Sequence, residues 1–334
     1  MRCVLGIDSG GTKCDAVVVR DDGVAVGWGR TEYRPEPGRQ RNWGGFGRNP
    51  RSIGMAVRQA IKGLECEELH IAGLMTYMPL GFLRESNIGC IHLHSVHEEQ
   101  SAFALAGVDA GLVVLAGTGA FVYGITHDGR EAHLDGLGPM IGDYGSGFHI
   151  GSLALRAAGK AEWHPRHHTS LAEAILSTLK ARNGEGGYWS LVEYTGSERD
   201  RAEVASLARI VDEEARKGDR IALDILQQAA AAMAETVRDV QERLEIGSEP
   251  YTMVGTGSVA TNCDIFWTHL CATVADFAPH LTPWRCALPP AAGLALIALK
   301  KLAAVDEATL RKNLFLTVPE VVERAENDEQ QAAS

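Results

Sequence analysis

The chain has 334 residues, of which 45% are hydrophobic and 22% are charged, and its formal net charge is -11. This length suits two domains of ordinary size. The negative net charge argues against nucleic acid as a partner, because binding the phosphate backbone of a nucleic acid needs a basic protein face. The sequence has no apolar run near the ~20 residues of a membrane span, no signal-peptide pattern and seven scattered cysteines without C-x-x-C spacing. We therefore expect a cytoplasmic protein with reduced thiols and no membrane contact.

The start of the chain predicts two strands joined by a glycine turn. Residues 2–8 and 15–20 are apolar and rich in β-branched side chains, a Gly-Gly turn lies between them, and an Asp-Gly turn follows. Small residues after a strand allow backbone N–H groups to approach an anion. A tight hairpin without a ligand is the alternative interpretation.

Polar residues around this turn favour a bound phosphate. Asp8 stands where the first strand ends, and its carboxylate can hold a hydrated Mg²⁺ that contacts phosphate oxygens. Thr12 and Lys13 can add a hydroxyl and a cation to the same phosphates. The sequence contains neither a G-x-x-x-x-G-K-[ST] P-loop nor a G-x-G-x-x-G fingerprint that opens a helix.

The next part of the chain predicts a long loop, a helix, a strand and a further helix. Residues 35–50 are rich in Pro, Gly, Arg and Asn, and long loops of this kind are often functional. Residues 52–63 predict a helix with Ser52 as its N-cap. LHIAGLM predicts a buried strand, and a second helix begins near Glu98.

The opening pattern then returns. LVVLAGTGAFVYGITHDG has an apolar strand, a small-residue turn, a second strand and an Asp-Gly turn, as the start of the chain has. A third glycine turn follows a strand in MVGTGSVA, residues 253–260. Residues 182–202 predict a loop, and AAGLALIALKKLA after Pro289-Pro290 predicts a buried helix. The repeat indicates two similar halves that face each other across a cleft.

Five sequence stretches carry a family resemblance: DSGGTKCDAVVV, VVLAGTGA, GLGPMIGDYGSGFHIGSLAL, MVGTGSVA and PPAAGLALIAL. In this order they resemble the BadF/BadG/BcrA/BcrD-type ATPase family, which includes N-acetylglucosamine kinase and belongs to the actin/sugar-kinase/Hsp70 superfamily. The resemblance implies an α/β fold of two ribonuclease H-like (actin-like ATPase) domains around a nucleotide cleft. We expect these domains at residues 1–107 and 108–320, with a helix near 291–303 at the hinge and a flexible tail at 321–334.

The resemblance also implies a site for ATP and Mg²⁺. Asp8 would steer the metal ion, the first two glycine turns would contact phosphates, and the third would line the adenosine pocket. The residues implied in nucleotide binding are Gly10, Gly11, Thr12, Lys13, Gly117, Thr118, Gly119, Gly255, Thr256 and Gly257.

A carboxylate before the second turn is the candidate catalytic base. Sugar kinases of this kind resemble one another in an Asp that begins a helix there and accepts the proton of the attacking hydroxyl. Counting back from Gly117 at the family's spacing reaches Glu98, with Glu99 as the neighbouring candidate. A glutamate reaches about one methylene further than an aspartate, which shifts the acceptor or weakens catalysis. The helix dipole alone also favours both residues at a helix start, without any chemistry.

The acceptor side departs from the family pattern. Asp143 in GDYGSG resembles a ligand of sugar hydroxyls, and Asn49 before Pro50 resembles an Asn that touches the sugar. Tyr144 stands where the family has Glu, and Ala120 where it often has Ser. An ordinary loop residue before a helix is the alternative interpretation of Asn49.

Three histidines form the pattern H-x-H-x-x-H at His92, His94 and His97. On a strand His92 and His94 share a face, so a metal site is conceivable there. Packed or solvent-exposed histidines without a ligand are the alternative interpretation.

Two hypotheses of function follow. The first is a kinase that uses Mg²⁺-ATP to phosphorylate a hydroxyl of a sugar such as N-acetylglucosamine, glucosamine or a related amino sugar. The second is an ATPase that drives a conformational change in a partner protein, as some family members do through a cysteine-held cluster. The scattered cysteines argue against that cluster here. An ATP-binding sugar sensor follows if Glu98 cannot act as a base, and the resemblance implies a homodimer.

Overall fold

The computed structural model of the chain describes residues 1–32, 50–73, 83, 88–183, 188–196, 201–302 and 305–333. The chain divides into two compact units, Met1–Asp109 with Cys286–Ser334 and Ala110–Arg285. Each unit has its own mixed β-sheet packed with helices. The prediction of an α/β fold with two domains is confirmed.

The first unit is built on a sheet with the strand order β3-β2-β1-β4-β5. β2 is antiparallel to both β1 and β3, whereas β4 lies parallel to β1 and β5 lies parallel to β4. The elements are β1 (Arg2–Ser9), β2 (Lys13–Arg20), β3 (Ala25–Glu32), α1 (Pro50–Ala60), β4 (Cys66–Gly73), β5 (Ile88–Ser95), α2 (Glu98–Ala106), α11 (Pro290–Leu299) and α12 (Glu307–Ala333).

Both faces of β1 are buried, which explains why its sequence is an apolar run rather than an alternating one. Leu5 and Ile7 belong to a core cluster with Ile53 of α1. Gly6 lies against α11, where an added Cβ would collide with the Ala291 carbonyl oxygen. Glycine at this position therefore allows α11 to approach the strand closely.

The second unit has a sheet with the strand order β10-β9-β6-β7-β8. β7 is antiparallel to both β6 and β8, whereas β9 lies parallel to both β6 and β10. The strands are β6 (Gly111–Ala116), β7 (Ala120–Ile125), β8 (Glu131–Asp135), β9 (Tyr251–Thr256) and β10 (Leu281–Arg285). The helices are α3 (Gly147–Ala161), α4 (Ser170–Asn183), α5 (Tyr188–Gly196), α6 (Arg201–Ala205), α7 (Leu207–Arg216), α8 (Arg220–Arg243), α9 (Ser258–Asn262) and α10 (Asp264–Phe277), with a 3₁₀ turn at Pro165–His167.

The two sheets share one topology in the described ranges. In each, the first three strands in chain order form an antiparallel meander, and two later strands extend the sheet in parallel from the first strand. The recurring sequence pattern therefore marks two structurally similar halves, as predicted.

The chain after the second sheet belongs to a different unit from the one expected. Residues 286–320 are expected in the second domain from the sequence, whereas they cluster with the first unit in the structure. α11 is apolar on all sides, and it packs against β1 and α2. The helix expected near residues 291–303 is thus packed in the core of the first unit, and its place at a hinge stays a prediction.

α12 covers a segment for which the sequence analysis expects a flexible tail from residue 321. Leu310, Leu314, Val318 and Val321 recur at helical spacing and are all buried. This apolar stripe fixes the helix to its unit as far as Val321, and the helix continues beyond it to Ala333.

Among the described residues, no helix has both the length and the apolar character that a bilayer crossing requires.

Candidate functional site

The first glycine turn lies at the carboxyl end of β1. Asp8 faces Asp15 across the antiparallel β1–β2 pair, and the Gly10 amide donates to the Lys13 carbonyl at 2.9 Å, which closes the turn. Asp8 is buried, whereas Gly11 at the tip of the turn is exposed. A carboxylate and the backbone of an open turn are therefore adjacent.

Gly10 has room for a side chain. Among the described residues, an added Cβ would meet only the Lys13 carbonyl oxygen, at an ordinary contact distance of 3.5 Å, and the backbone does not have a left-handed φ. The fold itself therefore does not require glycine here. The missing side chain leaves the backbone of the turn open to a ligand such as an anion.

A buried ion-pair group lies beside the turn. The two oxygens of the fully buried Asp15 accept hydrogen bonds from Nε and Nη2 of Arg30 at 2.6 and 2.9 Å. Nζ of Lys13 lies 3.1 Å from the same carboxylate. Burial lowers the pKa of Arg30, but the hydrogen bonds to Asp15 and the attraction of nearby carboxylates together outweigh this effect, and the pKa is raised overall. Lys13 is thus anchored by Asp15 while 38% of its side chain stays exposed.

The register of the sheet brings the candidate base to the same edge as the first turn. Ile7 on β1 is opposite Gly73 on β4, and Gly73 is opposite Ser95 on β5. Because the three strands are parallel, their carboxyl ends meet at one edge, and β1 and β5 are two strand spacings, about 10 Å, apart. α2 begins at Glu98, shortly after Ser95. We call this edge, from Asp8 to Glu98, the first-unit edge.

The first turn of α2 contains both glutamates. His97 is the N-cap residue, with an extended backbone and no side-chain cap hydrogen bond. The Ser101 hydroxyl donates to the Glu98 carbonyl at 2.6 Å, and Nδ1 of His97 lies 4.0 Å from the Glu99 carboxylate. The helix dipole stabilises negative charge on both glutamates. Their position at the helix start therefore does not distinguish one from the other as the candidate base.

The second and third glycine turns lie side by side. β6 and β9 are parallel neighbours with Leu115 opposite Thr256, so their carboxyl ends meet at one edge of the second sheet. Gly257 has a φ of +86°, and an added Cβ would lie 2.5 Å from the Ala116 carbonyl oxygen. Glycine at 257 is therefore required by the fold. We call this edge, with residues 117–119 and 255–257, the second-unit edge.

The other glycines of this edge also have structural partners. An added Cβ at Gly255 would penetrate the Trp267 ring, so the core itself requires this glycine. The Gly117 amide donates to the Gly119 carbonyl at 2.9 Å, and the Gly147 amide at the start of α3 donates to the Gly117 carbonyl at 2.7 Å. The α3 N-terminus thus fixes the conformation of the second turn.

Asp143 is buried against the second turn and forms an ion pair with the partly exposed Arg201. One of its oxygens accepts from the Ala120 amide at 3.3 Å, and the other accepts from Nη2 of Arg201. An added Cβ at Gly119 would lie 3.1 Å from both Arg201 and Asp143, so glycine makes room for the pair. Asp143 has a positive φ of 60°, and its amide donates to Asp135 at 2.6 Å. Burial raises the pKa of Asp143, and the Arg201 guanidinium opposes this rise without cancelling it.

The structure adds three residues that the sequence analysis did not select: Asp15, Arg30 and Arg201. Asp15 and Arg30 occupy opposite positions on the neighbouring strands β2 and β3. The alternation of side chains between the two faces of each predicted strand can suggest this pairing. Arg201 is 58 residues from Asp143 in the chain, and no local motif marks it. Asn49 lies outside the described residues.

The thiols of the chain do not form a ligand set in the described residues. All the cysteines are free, and Cys90 is exposed. Burial raises the pKa of Cys263 to about 12 and that of Cys286 to about 11. These thiols are protonated at neutral pH, and the thiolate is the form that binds metal.

The chain is similar to known proteins over most of its length. The model of the BadF/BadG/BcrA/BcrD ATPase family matches residues 5–270. An N-acetyl-D-glucosamine kinase of Dictyostelium discoideum is 26% identical over 313 residues, which cover 88% of this chain and 97% of that protein. An N-acetylmuramic acid/N-acetylglucosamine kinase of Clostridium acetobutylicum is 34% identical over 158 residues, which cover 47% of this chain and 50% of that protein.

The fold is similar to that of a solved structure. A Chromobacterium violaceum protein assigned as an N-acetylglucosamine kinase superposes with a TM-score of 0.61 at 20% sequence identity, over 89% of this chain and 99% of that chain. The likeness supports the two-domain α/β architecture described above.

Proposed function

The chain belongs to the BadF/BadG/BcrA/BcrD ATPase family, and on this basis we propose that it is an ATP-dependent kinase of an amino sugar, with N-acetylglucosamine as the first candidate. The observation that carries the proposal is the first-unit edge, where an open glycine turn, the Asp8 carboxylate and the carboxylates at the start of α2 occur together. The names of the Dictyostelium and Clostridium relatives set the substrate class.

The first turn binds the phosphates of ATP in this proposal. Phosphate oxygens approach its backbone at the exposed Gly11 because Gly10 has no Cβ, and Lys13 supplies a cation. Asp8 would hold Mg²⁺, which would supply positive charge to offset that of the phosphates. The turn at residues 117–119 contributes further amides, and the turn at residues 255–257 lines the adenosine.

Glu98 acts as the general base. The acceptor hydroxyl oxygen of the sugar attacks the γ-phosphorus of ATP, and the new O–P bond forms as the bond from that phosphorus to the β-phosphate oxygen breaks. ADP leaves, and the hydroxyl proton passes to the Glu98 carboxylate. Glu99, one residue further along the same helical turn, is the alternative acceptor of this proton.

Asp143 and Asn49 are the sugar ligands that we propose. The Asp143 carboxylate already bonds the guanidinium of Arg201, so the sugar either shares the carboxylate with Arg201 or receives hydrogen bonds from the pair. Arg201 also lies against the second turn, where its guanidinium adds positive charge to the second-unit edge. We therefore include Arg201 in the proposed site.

The experiment is a coupled assay of ADP release with Mg²⁺-ATP and a panel of N-acetylglucosamine, N-acetylmuramic acid, glucosamine and glucose. We expect ADP release that depends on an amino sugar, with the phosphosugar identified by mass spectrometry. Release of ADP without any phosphosugar would contradict the kinase and favour the partner-driving ATPase. Nucleotide binding without turnover would favour the sensor.

Two further expectations belong to the proposal. A homodimer is testable by light scattering of the purified chain. A cytoplasmic location, where ATP is abundant, is testable by fractionation of cells that express it.

A further inference from the structure

Polar side chains gather on one face of the β4–β5 pair. His70 on β4 is in register with His92 on β5, and His94 follows on the same face of β5. Glu68 lies on the same face of β4 as His70, because both are at alternate positions of one strand. We call Glu68, His70, His92 and His94 the histidine cluster.

His70 is the buried centre of the histidine cluster. It is 5% exposed, and its ring stacks on His92 with the centroids 4.4 Å apart. Its Nδ1 lies 3.0 Å from Nε2 of His94, a hydrogen-bond distance. Its Nε2 points towards Glu68, whose carboxylate oxygen is 3.5 Å away, and this buried nitrogen has no hydrogen-bond partner among the described residues.

The distance between His70 and Glu68 fits two ligands of one ion better than a direct hydrogen bond. A charge-assisted N–H···O bond is about 2.7–2.9 Å long, and 3.5 Å exceeds it. Two donors bound tetrahedrally to one metal at about 2.0–2.1 Å are about 3.3 Å apart. Donor atoms of Glu68, His70 and His92 all lie within 4.8 Å of one another, and rotation of the exposed His92 ring out of its stack on His70 would direct all three onto one ion.

The hydrogen bond on the other side of His70 supports a metal ligand. When Nδ1–H of His70 donates to His94, the lone pair of Nε2 faces the Glu68 carboxylate. Two electron-rich groups then face each other in a buried place, and a cation between them removes this repulsion. Metal-binding histidines usually donate their other N–H to a neighbouring acceptor in this manner.

We propose that Glu68, His70 and His92 bind a late first-row divalent metal ion of the Zn²⁺ class, with His94 positioning His70. Two imidazoles and a carboxylate favour such an ion over Mg²⁺, which prefers oxygen ligands. Three protein ligands leave a fourth position for water. His92 is exposed, so the ion has an entry path from solvent.

The site connects a weakly packed strand to its neighbour. No residue of β5 is fully buried in its burial pattern, so apolar packing contributes little to holding this strand. A metal ion shared by β4 and β5 would crosslink them through side chains. Because β5 leads directly into α2 and Glu98, the crosslink would stabilise the segment that carries the proposed base.

The experiment measures metal binding without ATP or sugar, so its outcome is independent of the kinase proposal. We would titrate the metal-free protein with ZnCl₂, CoCl₂ and MgCl₂, follow Zn²⁺ by competition with a chromophoric chelator, and follow Co²⁺ by its visible absorption. The protein carries Cys90→Ser, because Cys90 is the exposed thiol of the chain and is itself able to bind Zn²⁺. We expect one Zn²⁺ per chain, a raised Tm, intense four-coordinate Co²⁺ bands and no effect of Mg²⁺.

Two ligand variants and one control decide the result. His92→Gln and Glu68→Gln change residues that are not buried, so the fold should persist, and each should weaken Zn²⁺ binding by about tenfold or more. His168→Ala is the matched control, because His168 and Glu173 form an exposed pair 3.6 Å apart with no buried histidine. Tight binding that survives both ligand variants, or is lost equally in the control, would overturn the proposal and indicate adventitious binding.

Discussion

At Gly10 in the first unit an added Cβ would lie 3.5 Å from its nearest neighbour, whereas at Gly257 in the second unit it would lie 2.5 Å from the Ala116 carbonyl on a left-handed backbone. Both glycines follow a buried strand, and both belong to a turn of similar sequence. The first could be another small residue as far as the fold is concerned, and the second could not. Similar glycine turns can therefore serve a ligand in one place and chain packing in another.

Two carboxylates of the proposed site, Asp143 and Glu98, also differ in burial. Asp143 at the second-unit edge is 2% exposed and paired with Arg201. Glu98 at the first-unit edge is half-buried at a helix start. The proposed base is thus the less buried of these two carboxylates.

The largest effect is expected from Glu98→Gln. If Glu98 is the proposed general base, its loss should lower kcat by about 10²–10⁴-fold, while the Tm stays near that of the unmodified protein because the residue is only half-buried. Steady-state kinetics with N-acetylglucosamine and thermal melting provide the two measurements. Glu99→Gln is the control and should retain most of the activity. The reverse outcome would assign the base to Glu99.

A stability effect is expected at Gly257. Gly257→Ala places a Cβ on a backbone with φ of +86°, which costs about 1–3 kcal/mol of strain, and the close contact with Ala116 adds to this cost. The Tm should fall by about 2–4 °C for each kcal/mol lost. Gly10→Ala is the matched control and should melt as the unmodified protein does. Equal melting of the two variants would remove the distinction between the turns.

Much of the fold could be predicted because its signals are local. Strand, glycine turn, strand and Asp-Gly turn occur in contiguous sequence in both halves, and the two sheets repeat one topology. The assignment of α11 failed because its sequence is apolar on every side. Such a pattern indicates a buried helix but does not say which sheet buries it.

The loop predicted at residues 182–202 shows another limit. The described part of it contains α5 (Tyr188–Gly196) and the start of α6 (Arg201–Ala205). Its glycine-rich beginning favours a loop, yet Leu191 and Tyr194 are buried in the core of the second unit. Tertiary packing thus overrides a weak local preference.

The candidate site residues could likewise be predicted where their signal is local, and could not where it depends on tertiary packing. Asp8 and the glycines lie in contiguous motifs, and the parallel register then accounts for the nearness of Glu98. Arg201 reaches Asp143 from 58 residues away. Such a long-range ion pair depends on how α6 packs against α3, which no pattern within either segment encodes.

A pH-dependent effect is expected from Arg201→Gln. Because 43% of the Arg201 side chain is exposed, we expect a cost of about 1–2 kcal/mol, below the roughly 3–5 kcal/mol of a fully buried pair. The folded-state pKa of Asp143 already lies above its ordinary value of 3.8, so Asp143 contributes stability below that pH and loses it as the pH rises through the raised pKa. Removal of the cation raises this pKa further.

The deficit of Arg201→Gln should consequently be largest at neutral pH and shrink on acidification. Thermal melts of the variant and the unmodified protein, recorded from neutral to acidic pH, provide the measurement. Arg209→Gln is the control, because Arg209 pairs with Glu213 on the surface and its side chain is 75% exposed. A deficit that stays constant with pH would show that Arg201 acts through packing and not through its charge on Asp143.

The smallest effect is expected from Gly10→Ala on nucleotide binding. The fold leaves space at this position, so a methyl group there would project into the region that we assign to phosphate oxygens. We expect the Kd for Mg²⁺-ATP to rise by about tenfold or less, equivalent to about 1.4 kcal/mol or less, with no change in Tm. Calorimetric titration of ATP into Gly10→Ala and the unmodified protein measures the difference. Unchanged affinity would mean that the open turn does not contact the nucleotide, and the contrast with Gly257 would then concern folding alone.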